Sequence, residues 1–191
     1  MRLFIAINLP SPVRDALYQA AAPLRRAAPS VRWTHPDALH ITIKFLGEIA
    51  TNRQATIEIA LQSAARHVPP FQLRLRGVGG FPNLRRPRVL WLGAKADPSL
   101  LQLQADIEQS MEPLGFAREA RAFHPHVTVA RVGPDVSGAQ LEQAERAVID
   151  VKYEMEAAVR SVELMQSQLL RGGARYHILA SVPLGAGVEP K

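Results

Sequence analysis

Two short stretches of this chain carry the same arrangement of reactive side chains: His40-Ile41-Thr42-Ile43 and, 86 residues later, His126-Val127-Thr128-Val129. On an extended backbone, successive side chains point to opposite faces. His40 and Thr42 therefore share a face, as do His126 and Thr128, while Ile41, Ile43, Val127 and Val129 are left for the core. An imidazole titrates near neutrality, at about 6.5. Two imidazoles on one small volume can work as a pair. The neutral ring takes a proton from water or a hydroxyl, and the charged ring gives one to a departing oxygen. Each transfer is worth roughly 10²–10⁴-fold in rate. Attack and departure on opposite sides is the geometry of in-line displacement at phosphorus. The threonine hydroxyls can then hydrogen-bond the non-bridging oxygens, where transition-state charge collects. Neither transfer requires a metal. A lone His-x-Thr is weak evidence, because a single strand histidine is ordinarily structural. The repetition with matched apolar partners is what points to chemistry.

For the pair to meet, two strands must be brought face to face. Residues 2–9 read as a first strand, and Ser11-Pro12 as an N-cap with proline at the first helical position. That helix runs to about Ala27 with a kink or early end at Pro23. Val31–Trp33 is short and extended, and residues 39–46 form the first motif strand, closed by Gly47. Thr51 or Asn52 caps a helix to about His67. Phe71–Arg76 alternates as a half-buried strand, Gly77–Pro87 reads as a loop, and Val89–Leu92 as a strand. Asp97-Pro98 opens a helix ending near Gly115, and residues 126–132 form the second motif strand. A helix over 137–147 and strands near 151–158, 160–167 and 175–182 complete the pattern. A helix and an extended stretch precede each motif copy. The order indicates an internal duplication: an α+β chain of two pseudo-symmetric βα-rich lobes, with the His-Thr faces meeting at a central cleft. One two-lobed catalytic domain over 1–191 is expected, with 186–191 as a loose tail.

Composition narrows the classes. The chain has 191 residues and no cysteine, which excludes disulfides and cysteine-ligated metal centres and fits a reducing cytoplasm. The apolar start ends too early, at Pro10, Arg14 and Asp15, for a signal peptide. No apolar run reaches the length of a membrane span. The net charge is +6, mostly from arginine. Arginine's fork suits phosphate, although a solvated basic surface explains charge alone equally well.

The motifs and their flanks resemble the two-histidine phosphoesterases, and within them the RNA 2′,3′-cyclic phosphodiesterases also called 2′-5′ RNA ligases. The resemblance rests on Leu3–Pro10, Leu39–Glu48, Gly77–Pro82 with Val89–Gly93, Phe123–Arg131 and Arg175–Leu179, nearly the whole chain. It implies a LigT-like α+β fold with mainly antiparallel sheets flanking the cleft. It implies metal-independent, cofactor-free hydrolysis of RNA 2′,3′-cyclic phosphate ends to 2′-phosphomonoesters, and reversal as 2′-5′ ligation. By resemblance His40 is the proton donor to the leaving 3′-oxygen and His126 the acceptor from water. Thr42 and Thr128 hold the phosphate, and Arg131 contributes to its binding. The near-symmetric copies do not themselves say which ring is the acid. Partners would be RNA ends or cyclic nucleotides, with no membrane and a monomer by default. The alternative class is a non-catalytic binder of terminal phosphates on RNA, and a metal-dependent phosphatase is a third.

Two charged neighbours raise a question of parity. Counting from His126 along an ideal strand points Arg131 to the opposite face, so it reaches the site only if the strand bends or ends near Ala130. Lys44 has the parity of His40 and Thr42, with a solvated rim charge as the plainer reading. His124 with His126 lacks a third metal ligand at recognisable spacing. His35 suits a turn, His67 a helix C-terminus, and His177 a core or edge position on the last strand. Trp33, Phe45 and Trp91 could stack bases or fill the core, Tyr176 could reach the cleft, and Arg85, Arg86 and Arg88 could track RNA. Gly77–Gly80 lacks the lysine and helix of a phosphate-binding loop.

Overall fold

A computed structural model of the chain describes residues 1–170 and 173–186. Among the described residues nine strands are formed: β1 (Arg2–Asn8), β2 (Arg32–Trp33), β3 (His40–Glu48), β4 (Phe71–Phe81), β5 (Val89–Ala94), β6 (His126–Arg131), β7 (Glu154–Val159), β8 (Ser161–Leu170) and β9 (Gly173–Pro183). Five α-helices accompany them: α1 (Ser11–Ala20), α2 (Ala22–Ala27), α3 (Gln54–Ala65), α4 (Pro98–Met111) and α5 (Gly138–Ala147). The strands join in one sheet of order β7-β4-β5-β6-β3-β1-β8-β9, with β2 beside β6. Every pairing is antiparallel. From the centre outward, β3-β1-β8-β9 mirrors β6-β5-β4-β7, so the duplicated sequence becomes two matching half-sheets. The tail expected at 186–191 lies outside the described residues from 187 onward.

One face of the sheet carries the main core. Leu3, Ile5, Ile7, Ile41, Leu90, Leu92, Val127, Val162 and Leu164 are almost wholly buried there under Leu17, Leu24, Ile57, Leu61, Leu103 and Ile107 of the helices. α4, which links β5 to β6, lies against β3 and α3, while α2, which links β1 to β3, packs on α5. α4 thus leaves its own half and lies on the other, and α2 meets the other half through α5, tying the halves together. Phe4, Ala6 and Met165 form a separate cluster with Tyr176, on the face opposite the main core.

The helix signals in the sequence are met at α4 and α5. Asp97 accepts a hydrogen bond from the Ser99 amide at 2.9 Å, and Gly115, at φ 87°, closes the turn after α4. Ser137 caps α5 through the Gln140 amide. At α1 the expectation needs correcting: Ser11 is the first helical residue, and no side chain caps the end. The expected loop at Gly77–Pro87 is also corrected, because β4 continues through the glycines to Phe81. A Cβ at Gly79 would stand 2.2 Å from the Trp91 ring, so glycine here lets the indole lie across the strand.

Candidate active site

The half-sheets meet where Ile41 of β3 opposes Val127 of β6, and both side chains are fully buried. Their neighbours must face the other way. In that antiparallel register His40 comes beside Thr128, and Thr42 beside His126. The two imidazoles then sit on a diagonal, a separation of about 7–8 Å between strand positions. All four residues are half-buried, and β3–β6 is the only junction between the half-sheets among the described residues.

Each motif ends in the same irregularity. β1 pairs with β3 through Ala6↔Thr42 and then Ile5↔Lys44, passing over Ile43. β5 pairs with β6 through Trp91↔Thr128 and then Leu90↔Ala130, passing over Val129. The fourth residue of each copy is therefore the extra residue of a β-bulge, and the bulge reverses the alternation beyond it. Ile43 and Lys44 are consecutive buried residues, as are Val129 and Ala130. Arg131 is thereby returned to the face of His126 and Thr128, as its pairing with Val89, two residues from Trp91, also requires. Lys44 is turned away from the cleft, which corrects its expected parity. Its ammonium donates to Glu108 of α4 at 2.5 Å and to the Ala117 carbonyl at 2.8 Å, out of water. Phe45 takes the place in the first copy that Arg131 holds in the second, five residues after the histidine, and is 66% exposed.

The imidazoles are held alike. His40 Nδ1 lies 2.8 Å from the Ala38 carbonyl and His126 Nδ1 2.6 Å from the His124 carbonyl, each two residues upstream. A carbonyl only accepts, so Nδ1–H donates in both rings. In the neutral ring Nε2 then carries the lone pair. Nε2 of His40 is 3.1 Å from the Thr42 hydroxyl. Aromatic rings wall both sides. Phe4 and Tyr176 each stand 5.0 Å from the His40 ring, and Phe81 stands 5.0 Å from that of His126. Trp91 lies 6.1 Å from His126 and 4.9 Å from His124. These rings brace the imidazoles and cover part of their surface.

That burial sets the electrostatics. Loss of water around His40 lowers its pKa from 6.5 to about 4, against the raising effect of the Ala38 hydrogen bond. The positive charge of Arg131 and the neighbouring His126 lower it further. His126 is lowered chiefly by burial too, and also by His124 and Arg131. Arg131 is thus close enough for its charge to be felt at both rings. In the free protein both imidazoles are mainly neutral at pH 7.

The remaining candidates fall elsewhere. His35 is an exposed cap on the turn at Pro36–Ala38, and His67 is exposed beyond α3. His177 is exposed on the edge strand β9. Trp33 donates to the Ala28 carbonyl and packs on the core. Among the described residues no three His, Cys, Asp or Glu side chains cluster as metal ligands, and no helix is long and apolar enough to cross a membrane. Neither the bulges nor the anchoring carbonyls leave a signal in the sequence. Phe4 and Phe81 stayed hidden because alternation alone cannot tell a cleft aromatic from a core one.

Residues 12–169 match the model of the 2′-5′ RNA ligase superfamily. The chain belongs to that superfamily. It is 31% identical to an RNA 2′,3′-cyclic phosphodiesterase of Methanothermobacter thermautotrophicus, over 92% of this chain and 95% of that one. It is 34% identical to a protein of the same name from Archaeoglobus fulgidus, over 92% and 96% of the two chains. Among solved structures, TT0787 of Thermus thermophilus aligns with a TM-score of 0.78 at 31% identity, covering 97% of this chain and 98% of that one. E. coli LigT complexed with 3′-AMP aligns at 0.73 and 29% identity, covering 96% and 97%. The mixed helix and antiparallel-sheet architecture expected for a superfamily member is therefore the one observed.

Proposed function

We propose that the chain hydrolyses RNA 2′,3′-cyclic phosphate ends to 2′-phosphomonoesters, with His126 as base and His40 as acid. One observation carries this reading: two imidazoles, each tied by Nδ1 to a carbonyl, turned onto one cleft face beside two threonines. The names of the superfamily relatives support the substrate class.

The cyclic phosphate seats between the rings, its non-bridging oxygens accepting from the Thr42 and Thr128 hydroxyls. Its negative charge offsets that of Arg131, which adds to burial in holding both pKa values down. The bound anion thereby raises both, and His40 takes up a proton. Nε2 of neutral His126 removes a proton from water as the water oxygen bonds to phosphorus. The bond from phosphorus to the 3′-oxygen breaks on the far side, and Nε2–H of His40 delivers its proton there. The product keeps its phosphate on the 2′-oxygen. Each ring ends in the other's starting state, and exchange with solvent resets them. No nucleotide cofactor enters, and with a 5′-hydroxyl attacking in place of water the same steps would join it to a cyclic-phosphate end through a 2′-5′ phosphodiester.

Turnover separates this from a binder of RNA ends. With adenosine 2′,3′-cyclic phosphate in excess EDTA, the hydrolase converts substrate over many turnovers. A protein that retains the nucleotide and releases no monoester is the binder, and one silenced by EDTA is a metal-dependent phosphatase.

A further inference from the structure

We infer that Arg32, paired with Arg131, forms a second phosphate subsite that holds the phosphodiester on the 5′ side of the terminal nucleoside. This rests on the hydrolase reading and names its substrate class: the ends of RNA chains in preference to cyclic mononucleotides.

β2 runs along β6 where β3 has left it, with Arg32 directly opposite Arg131 and Trp33 opposite Ala130. Residues directly opposite share a face. Ala130 is fully buried and Trp33 packs on the core, so Arg32 and Arg131 both point to the cleft side, and both are exposed. Like charges directly opposite destabilise a pair of strands. Among the described residues neither guanidinium forms an ion pair with a carboxylate. The 82–88 loop brings Arg88 to the other side of this strand end, where its carbonyl accepts from the Val132 amide at 3.0 Å. An anion lying between the two forks is the group that would relieve this repulsion, and an arginine fork fits phosphate oxygens in pairs.

Position identifies which anion. With Val129 bulged out, Arg131 lies two strand steps beyond Thr128 on the cleft face, about 7 Å. That matches the step between neighbouring phosphates of an extended RNA strand. A 2′,3′-cyclic end has only one neighbouring phosphate, on the 5′ side of its nucleoside.

Adenosine 2′,3′-cyclic phosphate lacks that second phosphate, and the dinucleotide ApA ending in a 2′,3′-cyclic phosphate has it. The wild-type protein is expected to favour the dinucleotide about tenfold or more in kcat/KM. Arg32→Gln should cut that ratio about tenfold, with Arg32→Lys in between. The salt slope of kcat/KM for the dinucleotide should lessen by about 0.7 in Arg32→Gln, the loss of one single-strand phosphate contact. Arg146→Gln removes the same charge from exposed α5, where Arg146 stands 3.9 Å from Glu142, and should keep the ratio. A 5′-phosphorylated adenosine 2′,3′-cyclic phosphate should share the dinucleotide's advantage. If only the dinucleotide has it, the second nucleoside is being read and the proposal fails. It also fails if the wild type shows no preference, or if Arg32→Gln slows both substrates equally. Absence of any wild-type turnover overturns the hydrolase reading instead. Arg32 is then judged by anisotropy of a 5′-fluorescein-labelled ApA 2′-phosphate, with about tenfold weaker binding by Arg32→Gln expected and equal binding overturning the subsite.

Discussion

His40 and His126 share an anchor, a tautomer and a burial-lowered pKa, yet the proposed reaction gives them opposite jobs. The leaving group can tell them apart. His40→Ala should lose roughly 10²–10⁴-fold on a cyclic phosphate, whose leaving alkoxide needs a proton. On a p-nitrophenyl phosphodiester, whose leaving group departs unaided, it should recover most of that loss, whereas His126→Ala should stay slow on both. Equal rescue of the two variants would remove the acid–base assignment. Titration gives a second check. The working enzyme carries one proton on the pair, a form that peaks between the two pKa values of the free protein. Both lie below 6.5, with His40 near 4. The kcat/KM profile, a property of the coupled pair, should therefore peak on the acid side of 6.5 and decline by pH 8. The kcat profile should sit at higher pH, because the bound phosphate anion raises both rings. Coincident profiles would mean the anion does not act on the imidazoles.

At the level of the strand, two bulges decide which neighbours of the motif see the cleft. The alternation of His40 with Ile41 and of His126 with Val127 was legible in the sequence, because period-two patterning is a local property. The bulges at Ile43 and Val129 were not, because a bulge depends on the partner strand. The same blindness gave Lys44 a cleft parity, with a solvated rim charge as its plainer reading, and made Arg131 doubtful; Lys44 is neither in the cleft nor solvated. Lys44 instead joins β3 to α4 through Glu108 inside the protein. Breaking a buried pair strands a charge at a cost of about 3–5 kcal/mol, whereas replacing both partners by apolar residues is often neutral. Lys44→Met should accordingly lower the urea midpoint sharply, and Lys44→Met with Glu108→Leu should restore most of it. A double variant no more stable than the single one would show that the ammonium's bond to the Ala117 carbonyl, and not the ion pair, carries the stability. The Gly77–Gly80 stretch misled for a related reason. Glycine ordinarily marks a loop, but here it makes space for Trp91 across the strand.

Over the whole molecule, the duplication visible as two tetrapeptides becomes two half-sheets joined at Ile41 and Val127, with α4 of one crossover lying on β3 and α2 of the other packed on α5. The repeat in the sequence pointed to the shared cleft. It could not show that the halves form one continuous sheet, since strand order is set by contacts far apart along the chain. Building a site at this seam carries a stability cost in acid. The folded-state pKa of His40 lies below its unfolded value, so between 6.5 and about 4 the unfolded chain binds more protons. Stability is full above 6.5 and declines as the pH falls through that window. His40→Asn should flatten the fall in Tm between pH 6.5 and 4, and an unchanged slope would show that His40 is not buried neutral. The most direct test of the paired-imidazole site is the product formed from ApA ending in a 2′,3′-cyclic phosphate in excess EDTA, by the wild type, His40→Ala and His126→Ala, with folding of each checked by circular dichroism. The expected result is a 2′-phosphomonoester from the wild type and at most about one hundredth of that rate from either variant. A 3′-phosphomonoester, or near-wild-type turnover by either folded variant, would contradict it.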